Sequence, residues 1–265
     1  LVRGIYTAAA GALVADQQAD TIANNLANVD TAGFKATLLQ VESAPDLQLY
    51  RIQTDPGRVP GRAVPGVPVM QPVGPLGTGA LVYDTPDRFT QGPLERTGNP
   101  LDVAIGGVNA FFAVQTPVGV RYTRDGRFAL DPNGFLVTQQ GYRVLGQAGP
   151  IRIPAQSPIT IASDGTITQN GAQVDRLALV SFGNLTALRK QGDDLFVDTG
   201  TAGPAAAAGA TVEQGFLEKS NTNVVRSMVD LIVAERWFEA NQRMIKTQDD
   251  ATRQAIENVG QTPQA

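Results

Sequence analysis

Residues 5–29 read IYTAAAGALVADQQADTIANNLANV. Apolar positions in this stretch advance in steps of three and four, at Ile5, Ala8, Ala12, Ala15, Ala19, Ile22, Leu26 and Val29. Such spacing is the seam of a helix that packs lengthwise against a partner. Four consecutive seam positions are Ala, which lets a second backbone come close but buries little area per contact. One contact of this kind is weak, so the seam requires many copies of it or a partner with larger side chains. The helix is expected to stop where Asn28, Asp30, Thr31 and Gly33 gather, residues that favour turns and left-handed caps.

The other end of the chain supplies the larger side chains. Val224, Leu231, Phe238, Ile245, Thr252 and Val259 fall at intervals of seven, all apolar save Thr252. The interleaved positions Met228, Glu235, Gln242, Asp249 and Ile256 are mostly polar, which predicts a half-dry seam. Ser220, Asn221 and Asn223 precede it as candidate N-caps. Trp237, the only Trp, lies off the seam and is placed to anchor a further neighbour. Two amphipathic helices can close over a globular core, as most periodic helices do. Here they occupy the two extremes, with a different kind of sequence between them. That placement favours a separate coiled-coil pair whose narrow seams leave apolar surface for other subunits.

The middle changes period. From about Leu101, short segments rich in Val, Ile, Phe, Tyr and Thr alternate with Gly, Asp and Asn turns. Ala110–Gln115, Val120–Thr123, Arg143–Leu145, Ile151–Ile153, Ile159–Ala162 and Leu177–Ser181 read as strands, and Asp125-Gly126, Asn133-Gly134 and Asp164-Gly165 as hairpin-turn dipeptides. The expectation is an all-β domain, barrel-like or sandwich, and an α+β chain overall. Pro56–Pro75, PGRVPGRAVPGVPVMQPVGP, carries six prolines and excludes helix, and it is unsuited to a central strand. It reads as an extended loop or linker, and Gly200–Gly209 as a second loop. The expected organisation is therefore a helix and turn over 1–35, a Pro/Gly-rich linker over 36–100, and a β domain over 101–200. A short linker over 201–216 and a helix over 217–265 follow.

Composition narrows the chemistry. The chain has 265 residues, 42% of them apolar, enough for a real core. A net charge of −4 leaves no basic excess for neutralising phosphates, which argues against nucleic-acid binding. With no Cys there is no disulfide, thiolate metal site or thiol nucleophile, and with no His the Ser-His-Asp triad and the HExxH site are gone. Asp164, Asp193 and Asp194 read as turn residues, since no D-x-D-x-D-G calcium loop is present. The Gly74–Gly79 stretch GPLGTG lacks the Lys-Ser/Thr ending of a phosphate loop. No catalytic, cofactor or metal site is expected. No apolar run of about 18 residues predicts a membrane span, and Asp16 and Asp20 interrupt the N-terminal segment before a signal-peptide core is complete.

Several segments resemble the bacterial flagellar axial proteins, specifically the basal-body rod proteins. Ile22–Lys35, IANNLANVDTAGFK, is similar to the family signature in its Asn-Asn-Leu-Ala-Asn-Val core and its Gly-Phe-Lys ending. Leu101–Ile105 (LDVAI), Phe111-Phe112, Tyr122–Gly126 (YTRDG) and Asn133-Gly134 resemble its central β region. Leu217–Val225 (LEKSNTNVV), Met228 and Ala234–Asn241 (AERWFEAN) resemble its C-terminal motif. Arg236-Trp237-Phe238 departs from a common family form, Arg-Ala-Tyr or Arg-Ser-Phe.

The resemblance implies a non-enzymatic subunit whose terminal helices form an inner coiled-coil layer with the β domain outside it. It implies helical self-assembly into the rod that carries torque from motor to hook. The implied partners are further copies, adjacent rod and hook proteins, and the flagellar type III export apparatus, with passage to the basal body without a cleaved signal. The expected assembly interface is Ile5, Ala8, Ala12, Ala15, Ala19, Ile22, Leu26 and Val29 facing Val224, Met228, Leu231, Phe238, Ile245 and Ile256, within or between subunits. Asn24, Asn25, Asn28, Gly33 and Phe34 are expected to form a signature turn. Features of both proximal and distal rod types occur, with a slight lean to the proximal one. A hook-type axial protein is the nearest alternative. A β-rich carbohydrate-binding or adhesin protein would need an aromatic-lined groove, yet the chain has one Trp, five Tyr and ten Phe, many of them alternating as core. A glycosidase would need two carboxylates facing one cleft, and no spacing singles out such a pair.

Overall fold

A computed structural model describes residues 2–53, 69–107, 109–154, 158–207 and 209–260. Most of the Pro-rich stretch therefore lies outside the described residues. The chain divides into two compact units, one of Leu1–Asp20, Leu39–Asp84 and Leu231–Ala265, the other of Thr21–Leu38 and Thr85–Asp230. Helix α1 spans Val2–Ala27 and helix α2 spans Val224–Gly260, with the β structure between them in sequence.

In the first unit, the alanine-rich start of α1 accompanies most of α2 and two small antiparallel sheets. Gln40–Ser43 pairs with Ala80–Asp84, and Leu47–Gln53 pairs with Val69–Leu76. The second pairing corrects the expectation of a loop, because Pro72 and Pro75 sit inside a strand. In a two-stranded sheet each strand has a free edge, so a missing N–H need not break a ladder bond. Gly79, at φ +127°, approaches α1 so closely that a Cβ there would lie 2.9 Å from the Cβ of Ala10.

The second unit is β. Its largest sheet runs Leu188–Gly192, Leu195–Asp198, Gly119–Thr123, Ala110–Thr116, Arg143–Gly146, Leu136–Val137, Ala129–Leu130. Leu179–Phe182 pairs with the first half of Ala110–Thr116, Leu179 opposite Phe112, and carries Pro204–Ala206 on its other edge. The strand AFFAVQT is nearly continuously apolar because both of its faces are covered. Ala110, Phe112 and Val114 enter a core with Val103, Ile105, Leu136, Val144, Ile151 and Ile167. Phe111 belongs to a second cluster with Phe89, Phe182 and Phe196, whose rings meet edge-on or tilted at 5.3–5.7 Å. Ile159–Ile161, Thr166–Gln169 and Ala172–Arg176 form a separate three-stranded sheet.

Two of the three expected hairpin dipeptides connect antiparallel neighbours. Asn133-Gly134 lies between Ala129–Leu130 and Leu136–Val137, and Asp164-Gly165 between Ile159–Ile161 and Thr166–Gln169. Asp125-Gly126 does not. It is buried, and a Cβ on Gly126 would run into the carbonyl of Val103, so the glycine serves a close approach of backbones. Ile151–Ile153 is not a strand but makes a single bridge, Arg152 to Phe135. Strands also appear where a linker is expected, at Pro204–Ala206 and at Thr211–Gln214 paired with Val103–Gly106. Phe216–Glu218, which enters the span expected to be helical, pairs with Leu94–Arg96, the helix starting only at Val224. These segments are only three or four residues long, and partners remote in sequence stabilise them.

Candidate functional site: helix faces and the signature turn

Each helix presents one covered stripe. On α1, Ala8, Ala12 and Ala15 are buried, and Ile5, Ala19, Ile22, Leu26 and Val29, the last just past the helix end, are half-buried. On α2 the covered positions are Val224, Ser227, Leu231, Ala234, Phe238, Asn241, Ile245, Gln248 and Thr252, and every other residue from Val225 to Glu257 is exposed. Val224, Leu231, Phe238, Ile245 and Thr252 of the seven-residue series are on this stripe, and the Val259 side chain lies outside the described residues. The covered companions, Ser227, Ala234, Asn241 and Gln248, fall three residues after its members, whereas Met228 and Ile256 belong to a series four residues after and are exposed. Hydrophobicity points to Met228, whereas the fold covers the preceding Ser227 and, further along, Ala234, Asn241 and Gln248.

Glycines on α1 explain why amides fit there. A Cβ on Gly11 would lie 2.9 Å from Oδ1 of Asn241, and one on Gly4 would overlap the Gln248 side chain. Gly4 and Gly11 are seven apart, as are Asn241 and Gln248 in the opposite sense, so these parts of the helices run antiparallel. Asn223 caps α2, its Oδ1 accepting from the Arg226 N–H at 2.9 Å. Of the other candidate caps, Ser220 accepts from the Thr222 N–H and Asn221 is engaged elsewhere.

Away from these stripes the helices expose large apolar side chains. Tyr6 and Leu13, seven apart on α1, are 69% and 70% exposed. On α2, Val225, Met228, Val229, Ile232, Val233, Trp237, Met244 and Ile256 are all exposed, Trp237 by 61%. Isolated exposed apolar residues are ordinary, but a succession of them along one helix marks an interaction surface.

The expected turn residues divide in role. Asn25 is buried and reads the backbone of Thr37 in both directions, donating to its carbonyl at 2.7 Å and accepting from its N–H at 2.8 Å. Asn28 donates from Nδ2 to the exposed Asn24's carbonyl and accepts from the Thr31 hydroxyl, which closes the end of α1. Gly33, at φ +73°, donates its N–H to the Glu218 carbonyl at 2.7 Å, and a Cβ there would collide with the backbone of Arg124 and Asp125. Phe34 is buried beneath the Lys190 ammonium, 3.9 Å from its ring centroid.

Sequence reasoning missed the charges around this turn. The side chains of Lys35, Arg124 and Glu218 are all fully buried. Glu218 meets Lys35 Nζ at 2.5 Å through Oε1 and Arg124 Nη1 at 3.4 Å through Oε2, and it accepts the Gly92 N–H at 2.8 Å. Burial pulls the pKa of Lys35 and of Arg124 below their usual values, and the Glu218 charge opposes both shifts. Lys190 pairs with Asp87 at 3.1 Å and donates to the Lys35 carbonyl. Asn221 accepts from the Ala36 N–H and donates to the carbonyls of Arg88 and Thr90. The one sequence hint was a lone Lys within the apolar and small run Ala32–Ala36.

The three candidate acidic residues sit in turns. Asp164 accepts the N–H and hydroxyl of Thr166, and Asp193 and Asp194 adopt positive φ between two strands. Burial, then the Asp125 charge, pushes the Asp194 carboxyl up to about 6. Among the described residues no three His, Cys, Asp or Glu side chains gather to hold a metal, and no helix is long and apolar enough to cross a membrane.

A helix with exposed apolar positions at each end of the chain and β structure between them in sequence is an order of elements that suits an architectural protein. The comparisons agree along the chain. The family models described as flagella basal body rod protein, flagellar hook protein FlgE/F/G D1 domain, and flagellar basal body rod FlgEFG protein C-terminal match residues 5–35, 104–169 and 213–258. The flagellar basal-body rod protein FlgF of Caulobacter vibrioides is 35% identical, with 97% of each chain covered. FlgG of Bacillus subtilis is 34% identical over 97% of this chain and 98% of its own, and FlgF of Escherichia coli 37% identical over 93% and 94%. The chain belongs to the flagellar basal-body rod protein family (FlgF/FlgG), a family of structural proteins and not enzymes. Both names match at similar identity, so the assignment is to the rod and spans its proximal and distal types.

Proposed function

We propose that the chain builds the rod by pairing α1 with α2 as an antiparallel coiled coil and stacking that pair, through its exposed apolar faces, on further copies and on neighbouring rod and hook subunits. A heterologous contact repeated without closure gives a helical stack, which carries torque along its axis. The observation that carries this reading is the double character of the helices. One stripe, centred on Ala8, Ala12, Ala15 and Ala234, is covered within the chain. A second set, including Leu13, Val229, Ile232 and Trp237, is at least half exposed among the described residues. Ile5, Ala19, Ile22, Leu26, Val29, Val224, Leu231, Phe238 and Ile245 belong to the first face, and Met228 and Ile256 to the second. A chain without Cys and with helices that depend on partners also suits delivery through the flagellar type III export apparatus in an unfolded state.

Substituting Ala15→Asp tests the pairing. A carboxylate in a position 1% exposed cannot be solvated. Rod growth and motility should be lost while the β unit keeps its near-native circular dichroism and unfolding transition. Normal motility of that variant contradicts the proposal.

A further inference from the structure

The buried charges at the turn do more than fill space. Lys35 lies 183 residues from Glu218 in sequence, and Arg124 comes from a third segment, yet all three side chains are fully buried. Two cations surround one carboxylate. Lys35 Nζ donates besides only to the Thr90 carbonyl, and Arg124 to the carbonyls of Ile105 and Gly107. Taking an ammonium out of water without a counter-charge costs several kcal/mol, more than the few neutral hydrogen bonds here return. The lowered pKa of Lys35 is consistent with a site that tolerates its charge poorly.

Backbone contacts share the same dependence. Gly33 N–H has the Glu218 carbonyl as its acceptor, and Gly92 N–H has the Glu218 carboxylate. Asn221, three residues later, holds Ala36 and Thr90. Without the segment around Glu218, the run Gly33–Ala36 would keep a cation without its counter-charge and two N–H groups, of Gly33 and Ala36, without their acceptors.

We propose that Glu218 is a closure latch: the Gly33–Ala36 turn orders only when strand Phe216–Glu218 brings its carboxylate between Lys35 and Arg124. The N-terminal signature thus stays open until the distant C-terminal segment has docked, and its ordering reports that the chain's two ends have met. The latch is independent of assembly, since every group in it belongs to one chain.

Native-state hydrogen exchange on the full chain tests it. In the unsubstituted protein, the amides of Gly33 and Gly92 should exchange slowly. Glu218→Gln keeps the side-chain shape and removes the charge. It should speed exchange at Gly33, Ala36 and Gly92 by about tenfold or more while Val114 and Val144 amides in the β core keep their protection. Adding Lys35→Met to Glu218→Gln removes the nearer of the two cations, leaving Arg124 with its carbonyl acceptors, and should restore part of the lost protection. Unchanged exchange at Gly33 in Glu218→Gln overturns the latch. So does loss that spreads equally through the β core, or loss that Lys35→Met leaves undiminished, because each makes Glu218 ordinary packing.

Discussion

At Gly33 a single hydrogen atom decides whether the turn can exist. The residue combines φ +73° with backbone neighbours that leave no room for a Cβ. Gly33→Ala should therefore lower the stability of the β unit by about 2–4 kcal/mol, the sum of left-handed strain and overpacking, read from its urea midpoint. Asp194 makes the opposite case. Its folded pKa of about 6 exceeds the unfolded value, so between those two values the folded chain binds more protons, and stability falls as pH rises through that window. Above pH 6 the cost is fully present. Asp194→Asn should stabilise the protein at pH 7.5 by about 1 kcal/mol, solvent damping the full pKa difference at a partly exposed site. The gain should shrink as pH falls from 6 to 4. Asn221→Ala would strand a buried N–H and two carbonyls, and about 2–3 kcal/mol of destabilisation by the same measurement is expected.

Helix α1 was legible because its signal is local: three-and-four spacing and a cluster of turn residues are both read within one turn of the chain. The alanine stripe at Ala8, Ala12 and Ala15 is covered where that spacing puts it. On α2 the same approach reads the series from Val224, while Asn241 and Gln248, covered beside it, are side chains that hydrophobicity does not point to and that Gly11 and Gly4 make room for. Which side chain a helix covers depends on its partner's gaps as well as its own pattern. The strands Pro204–Ala206 and Thr211–Gln214 were illegible for a related reason, as their stability comes from Leu179–Phe182 and Val103–Gly106 and not from their own composition. The latch is the extreme case, where residues 183 positions apart meet and neither carries a local sign of the other. At this scale the account makes a separable prediction. Leu13→Lys and Trp237→Lys replace side chains already in solvent, so each should change the unfolding free energy by no more than about 0.5 kcal/mol. Both should abolish rod growth in basal bodies viewed by electron microscopy.

At the scale of the whole molecule, the β unit carries its own core, in which the Phe-rich cluster and the largest sheet bury apolar faces. The helices cover one stripe and leave further apolar side chains exposed, and the family to which the chain belongs builds the flagellar rod. The absence of Cys makes the central claim directly measurable, since a single introduced thiol reports one position without background. Trp237→Cys should react readily with a maleimide in the free subunit and be protected in purified basal bodies, while Val118→Cys, on an exposed strand connection of the β unit, labels in both. Equal labelling of Trp237→Cys in the free and assembled states would contradict an assembly built on the helix faces.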